Sequence, residues 1–232
     1  MARMRIALFD LDGTLTRHDS LVPYVLGFCL RHPLRLPRLL VMPWHALRYL
    51  FVHHDRGELK QALIVAALAG ASRDEIARWN QRFVARLLER GMHREALERL
   101  AMHRSRGDYL VLMSASPDLY VPAVARALRF NETICTGVRW DGMVLSGELT
   151  TANRRAEEKL RGVEALRARY DGSQITGYGN SASDVIHLRA CDSAHLVNAA
   201  PRAALEAARA GVAVGWPFEA VAGHRDNLNI AP

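Results

Sequence analysis

The apolar run at residues 6–9 constrains this chain more than any other feature. In "IALFDLDGT" (residues 6–14) four consecutive apolar residues end at Asp10, followed by a second acid at Asp12 and then by Gly13 and Thr14. A run so short and so continuously apolar reads as a strand buried on both faces. The acids then sit where the strand runs out. Side chains two apart on an extended segment share a face, so both carboxylates can point into one crevice. Like charges held that close repel, which is costly unless a cation or a reaction requires them. The same residues also fit a plain strand followed by an Asp-Gly turn with solvated acids.

Further strands of this kind recur, separated by helices. "DYLVLMSAS" ends near Ser114, "SQITGYGNSASD" has a glycine-rich exit, and "SAHLVN" and "VAVGW" follow. Residues 19–90 contain no convincing strand and read as consecutive helices, one of which opens on Ser72, a capping residue. Later helices are predicted over residues 93–107, 121–130, 154–172 and 201–211, the last begun by proline and ended by glycine. "ETICTGVRWDGMVLSGELT" reads as a small β-hairpin near 132–150, turning at Asp141-Gly142. Strands alternating with helices predict an α/β protein with a Rossmann-like, three-layer parallel sheet. The catalytic core is expected over 1–18 and 91–232, with an all-helical cap over 19–90 inserted between the first two strands. Ligands of such sheets bind beyond the carboxyl ends of the strands. Asp10, Asp12, Ser114 and the loop from Asn180 to Asp184 should therefore meet.

Composition narrows the partners. The 232 residues are 50% hydrophobic and carry a net charge of +7, with the basic residues dispersed. This favours anionic ligands over nucleic acid, which is not expected as a partner. Only Lys60 and Lys159 are lysines among 31 basic residues. Each matters, because an ammonium and a guanidinium are not interchangeable in a tight site. Cys29, Cys135 and Cys191 are far apart and lack metal-ligand spacing, which points to a reducing compartment. The acidic pair comes too early for a signal peptide, and no apolar run approaches a membrane span. A cytoplasmic protein is expected, with its oligomeric state open.

The acids suit phosphoryl transfer. A carboxylate can attack phosphorus and form an aspartyl-phosphate that water then opens, while the protein positions charge around the phosphoryl oxygens. In this reading Asp10 is the nucleophile and Asp12 the general acid and base. Mg2+, a hard ion that prefers oxygen ligands, shields the nucleophile from the phosphate. Ser114 donates to a phosphoryl oxygen, Lys159 supplies a point charge, and Asp184 adds a carboxylate to the metal site. Gly13, Thr14 and Ala115 complete the cradle.

"DLDGT" at 10–14, "VLMSAS" with Ser114, Lys159 on a helix and "GYGNSASD" closing on Asp184 together resemble the four motifs of the haloacid dehalogenase-like hydrolases. The helical cap and the hairpin before the lysine are similar to the phosphoserine phosphatase-like branch. The resemblance implies an Mg2+-dependent phosphomonoester hydrolase with Asp10, Asp12, Ser114 and Lys159 as catalytic residues. It also implies a metal site of Asp10, the Asp12 main-chain carbonyl, Asn180 and Asp184. Asn180 departs from the family, which usually has aspartate there; one negative charge fewer implies weaker metal binding. A phosphotransferase using the same intermediate, or a protein that binds phosphorylated ligands without turnover, are the alternatives.

The cap bears on the substrate. Asp19 stands where phosphoserine phosphatases place a substrate-contacting glutamate, although capping a helix is an equal reading. "ALIVAALAG" is apolar where those enzymes use a basic residue, so a small organic or lipid phosphate is favoured over phosphoserine. "LRLPRLLVMPWHALRYLFVHH" mixes apolar residues with Arg35, Arg38 and Arg48, as a lipid-facing helix would. Pro37 and Pro43 interrupt any long amphipathic helix, which favours packing among the cap's own helices. His53 and His54 read as surface residues and Lys60 as solvent-facing. Ser116 and Ser181 either touch phosphate or cap turns, and Arg154 and Arg155 either add positive field at the crevice mouth or form a solvated helix start, the second reading being the ordinary one in each case.

Overall fold

The computed structural model describes residues 3–53 and 56–217. His54 and the last fifteen residues of the predicted core lie outside the described residues. In chain order, β1 (Arg5–Phe9) is followed by α1 (Leu21–Arg31), a 3-10 segment (Pro33–Val41), α2 (Met42–Arg48), a π turn (Tyr49–His53), α3 (Arg56–Leu68), α4 (Arg73–Arg90) and α5 (Arg94–Ser105). Next come β2 (Tyr109–Pro117), α6 (Val121–Ala127), β3 (Glu132–Thr136), β4 (Val138–Asp141), β5 (Val144–Leu149) and α7 (Glu157–Arg169). The chain continues through β6 (Gln174–Gly179), a 3-10 turn (Ala182–Asp184), α8 (Val185–Leu188), β7 (Ser193–Leu196), α9 (Pro201–Arg209) and β8 (Ala213–Val214).

Six parallel strands form one sheet in the order β3-β2-β1-β6-β7-β8. β1 is central, and its four apolar residues are buried on both faces. Ala7 and Phe9 pack into the larger core with Tyr24, Phe28 and Leu100, whereas Ile6 and Leu8 pack against Val163 and Leu166 of α7. Strand order reverses between β1 and β6, which is where a doubly wound sheet opens a crevice at its carboxyl edge. The parallel sheet with helices on both sides is the architecture expected from the sequence.

Local chemistry sets several of the helix ends. Ser72 caps α4 with a reciprocal box: its Oγ accepts from the Glu75 N–H at 3.2 Å, and its own N–H donates to Glu75 Oε2 at 2.7 Å. α9 starts on Pro201 and is followed by Gly211 at φ +75°. No helix among the described residues is long and apolar enough to cross a membrane.

One expectation changes. The hairpin is β4–β5 alone, because residues 132–136 join the main sheet beside β2 as its edge strand. This hairpin is bonded to the turn between α3 and α4: Gly70 N–H donates to Leu145 O at 2.8 Å, Leu145 N–H to Ala71 O at 2.9 Å and Arg73 N–H to Met143 O at 3.0 Å. The proline-marked segment packs against α1 and α3 within the cap, as expected, but without burying its large apolar side chains. Pro37 lies within the 3-10 segment and Pro43 opens α2, so no continuous apolar stripe meets the core; neither segment has a buried residue, although Leu39 packs partly against the core.

Candidate active site

Strand register gathers the site. Phe9 pairs with Leu112 on one side and Tyr178 on the other, and the Asp10 N–H extends the ladder to Tyr178 O at 3.0 Å. Asp10 and Asn180 therefore leave the sheet at one level, while Ser114 lies two residues beyond Leu112 inside β2. The chain then folds back tightly, with the N–H groups of Leu15 and Thr16 both donating to Leu11 O at 2.9 Å. Gly13 sits at φ +78°, and a Cβ there would come 1.9 Å from Asn180 Nδ2. Only glycine satisfies both the left-handed backbone and that contact. The crevice is a cavity of about 680 Å³, reached by Asp10, Asp12, Gly13, Lys159, Asn180 and Asp184.

Lys159, on the first turn of α7, is the electrostatic centre. Its Nζ lies 2.7 Å from Asp10 Oδ1 and 2.7 Å from Asp184 Oδ1, with all three side chains buried. Three buried charges are stable together only when each is closely paired. Burial pushes the Asp10 carboxyl up to about 7 despite the opposing pull of Lys159. Burial alone would lower the Lys159 ammonium, but the two aspartates hold it above its usual range. Burial would raise Asp184; Lys159 and the surrounding donors instead keep it well below the usual carboxylate range. Those donors are the N–H groups of Asn180 and Ser181, at 3.2 and 3.0 Å, and Ser181 Oγ at 2.7 Å, all on Asp184 Oδ2. With Lys159 on Oδ1, both carboxylate oxygens of Asp184 are engaged by donors.

Asp12 is held separately. Ser116 Oγ donates to its Oδ2 at 2.6 Å, while Ser20 donates to its Oδ1 through both N–H (2.8 Å) and Oγ (2.5 Å). The Tyr120 hydroxyl lies 2.8 Å from Ser20 Oγ and can donate to it in turn. Burial and the Asp19 charge raise Asp12, opposed by those hydroxyl donors. Ser116 thus holds an acid rather than a turn, whereas Ser181 caps its 3-10 turn as expected. Ser20 and Tyr120 carried no recognisable signal in the sequence, since their roles arise from packing.

The other predicted residues are placed as follows. Ser114 is fully buried, its Oγ accepts from the Ser116 N–H at 3.0 Å, and the cavity is lined by its neighbours Ala115 and Ser116 rather than by Ser114 itself. Ala115 lines the cavity, and Thr14 Oγ1 lies 3.4 Å from Asp10 Oδ2. Asp19 lines the rim and also caps α1, accepting from the Leu21 N–H at 2.9 Å. Arg155 faces the cavity instead of forming a solvated helix start, while Arg154 pairs with Glu158 at 3.4 Å. Lys60 is likewise not solvent-facing. Its Nζ reaches the Ala115 carbonyl at 2.5 Å and Asn153 Oδ1, and burial lowers it to about 8.

Among the described residues no cluster of three or more His, Cys, Asp or Glu side chains is placed to hold a metal. The donor chemistry fits a hard cation through a mixed set instead. Asp10, the Asp12 main-chain carbonyl and the Asn180 amide belong to one turn and the loop packed on it, and all offer oxygen ligands.

The family model of the haloacid dehalogenase-like hydrolases matches residues 7–189. Protein CicA of Caulobacter vibrioides is 30% identical over 191 residues, spanning 81% of this chain and 83% of that protein. A crystal structure of a protein of unknown function from Bordetella pertussis Tohama I aligns with TM-score 0.76 at 23% identity, over 92% of this chain and 99% of that one. A probable phosphoserine phosphatase from Vibrio cholerae, in unliganded form, aligns with TM-score 0.68 at 14% identity, over 92% of this chain and 61% of that one. The structural likenesses concern the fold, and the match across residues 7–189 settles the membership: this chain belongs to the haloacid dehalogenase-like hydrolases.

Proposed function

We propose that the protein is an Mg2+-dependent phosphatase that hydrolyses a phosphomonoester through an aspartyl-phosphate on Asp10. The observation that carries this reading is the Asp10–Lys159 contact at 2.7 Å on the cavity wall, with a second, separately held acid two residues away. Lys159 occupies Asp10 Oδ1, so Oδ2 is the attacking atom. As the Oδ2–phosphorus bond forms, the bond from phosphorus to the ester oxygen breaks, and Asp12 gives that oxygen a proton. Water then attacks phosphorus, the bond to Asp10 breaks, and Asp12 takes a proton from that water, which restores both acids. Burial keeps Asp12 suited to both duties by raising its affinity for that proton. Ser20 and Ser116 fix its direction, and Lys159 balances charge beside the phosphoryl group. Bound at Asp10, the Asp12 carbonyl and Asn180, Mg2+ would supply positive charge to the phosphoryl oxygens.

Leu21, Val22, Leu59 and Leu63 line the outer cavity together with Arg17 and Arg56. That lining supports a small organic or lipid phosphate with an apolar portion over phosphoserine, the substrate class named for several structural neighbours. A cytoplasmic setting is consistent with the three unpaired cysteines. The test is phosphate release from p-nitrophenyl phosphate and a panel of phosphomonoesters in Mg2+. Release that disappears in Asp10→Asn is expected. Undiminished release by that variant, or none from any ester, would overturn the reading. Binding without turnover would favour a ligand-holding protein, to which the missing charge at Asn180 points, and acceptor-dependent release would favour a phosphotransferase.

A further inference from the structure

We propose that the outer face of the cap, residues 26–51, is a docking surface for an anionic lipid bilayer. This face is apolar and uncovered. Leu34 is 92% exposed, Leu40 79%, Phe51 76%, Leu30 71%, Trp44 62% and Leu50 59%. They lie on α1, the 3-10 segment, α2 and the π turn, which follow one another and pack together. Large apolar side chains concentrated in one stretch mark an interaction surface, unlike single exposed leucines scattered over a protein.

The charge pattern selects the partner. Residues 20–54 contain no aspartate or glutamate but do contain Arg31, Arg35, Arg38 and Arg48. Arg31, Arg38 and Arg48 are exposed among the apolar residues. A second copy of this chain meeting the face about a twofold axis would set arginines against arginines, with no acid in the stretch to pair them. An anionic bilayer supplies both complements: acyl chains for Leu, Trp and Phe, and headgroup phosphates for the guanidinium groups. The net charge of +7 adds long-range attraction to such a surface. Tyr49 and Arg56, which flank Leu50 and Phe51 in sequence, line the catalytic cavity, so the face reaches the rim of the active site. This inference concerns binding and does not depend on the proposed reaction.

The experiment is flotation of the full chain with vesicles of phosphatidylcholine alone or mixed equally with phosphatidylglycerol, at low and at high salt. Binding to the mixed vesicles at low salt is expected, weakened by salt and absent with phosphatidylcholine alone. Leu40→Asp/Trp44→Asp should reduce the bound fraction by about tenfold or more while leaving the thermal unfolding temperature and phosphate release unchanged. Arg48→Glu should weaken binding without changing the apolar face. Failure of the parent to bind the mixed vesicles, or equal binding by the double variant, would overturn the proposal. So would a solution dimer that Leu40→Asp/Trp44→Asp turns into a monomer, because the face would then belong to a second copy.

Discussion

Replacing Lys159 with methionine removes the central cation while keeping an unbranched chain of similar length. Each 2.7 Å contact to Asp10 and Asp184 represents roughly 6 kcal/mol of attraction at an effective dielectric of about 20. Desolvation of three buried ions offsets most of that. Removing one partner of a buried pair costs about 3–5 kcal/mol, because the remaining charges stay buried without compensation. With a urea m-value of about 3 kcal/mol/M for a chain of this size, the unfolding midpoint should fall by roughly 1–2 M. The loss should also depend on pH. Without Lys159 the two facing carboxyls hold their protons more tightly folded than unfolded, so the variant loses stability as pH rises through their folded-state pKa values. Urea titrations in EDTA at pH 5 and pH 8, followed by circular dichroism, should show the larger deficit at pH 8. Asp184→Asn added to Lys159→Met removes one of the two facing charges and should recover part of the deficit at pH 8, without restoring phosphate release. A Lys159→Met midpoint equal to the parent's at pH 8 would refute the account of Lys159 as the clamp between two buried acids.

Ser116→Ala removes a 2.6 Å donor from Asp12. A hydrogen bond to a charged group is worth about 1.5–3 kcal/mol, so kcat should fall roughly 10- to 100-fold with KM little changed; Asp12 should also bind its proton more tightly, shifting the pH–rate profile upward. Asn180→Asp restores a negative charge beside Gly13, and the Mg2+ concentration for half-maximal activity should drop by roughly tenfold; an unchanged requirement would remove Asn180 from the metal site. His103 is buried, with Nδ1 2.8 Å from Asp108 and Nε2 2.8 Å from the Tyr178 hydroxyl, and burial lowers its pKa despite Asp108. A lowered folded-state pKa gives stability that is present above the unfolded value near 6.5 and is lost as pH falls through the folded one. His103→Gln should therefore lose less stability than the parent between pH 7 and pH 5, measured by thermal unfolding.

What could be read in the sequence was what depends on short range. Residues 6–9 and 110–113 are apolar on both faces because their strands are central, and parallel pairing then brings the residues that end them to one edge. That rule sufficed to bring Asp10, Asp12 and the loop from Asn180 to Asp184 to one crevice, whereas β2 runs on past Ser114, so that Ala115 and Ser116 line the crevice in its place. Where packing decides, the sequence was silent. The grip of Ser20 and Ser116 on Asp12, backed by Tyr120, joins residues up to 108 positions apart. Lys60 turns inward because Ala115 and Asn153 offer it oxygen atoms that its own helix does not predict. Residues 132–136 carry the same extended pattern as the hairpin strands after them, and only the presence of β2 beside them assigns them to the main sheet. The turn and helix at 182–188 are too short to show a helical period.

The bonds between the α3–α4 turn and β5 decide what can move over the reaction. A helical insertion joined to its core only at residues near 18 and 91 would swing on two strings of chain. Here the backbone ties from Gly70, Ala71 and Arg73 make the hairpin part of the same body, so displacing the cap also pulls on the chain at Gly137 and Thr150. Four crossings of the chain, near residues 18, 91, 137 and 150, then join this body to the core in place of two. Lys60, bonded from α3 to Ala115 and Asn153, adds a side-chain clasp beside the reacting groups.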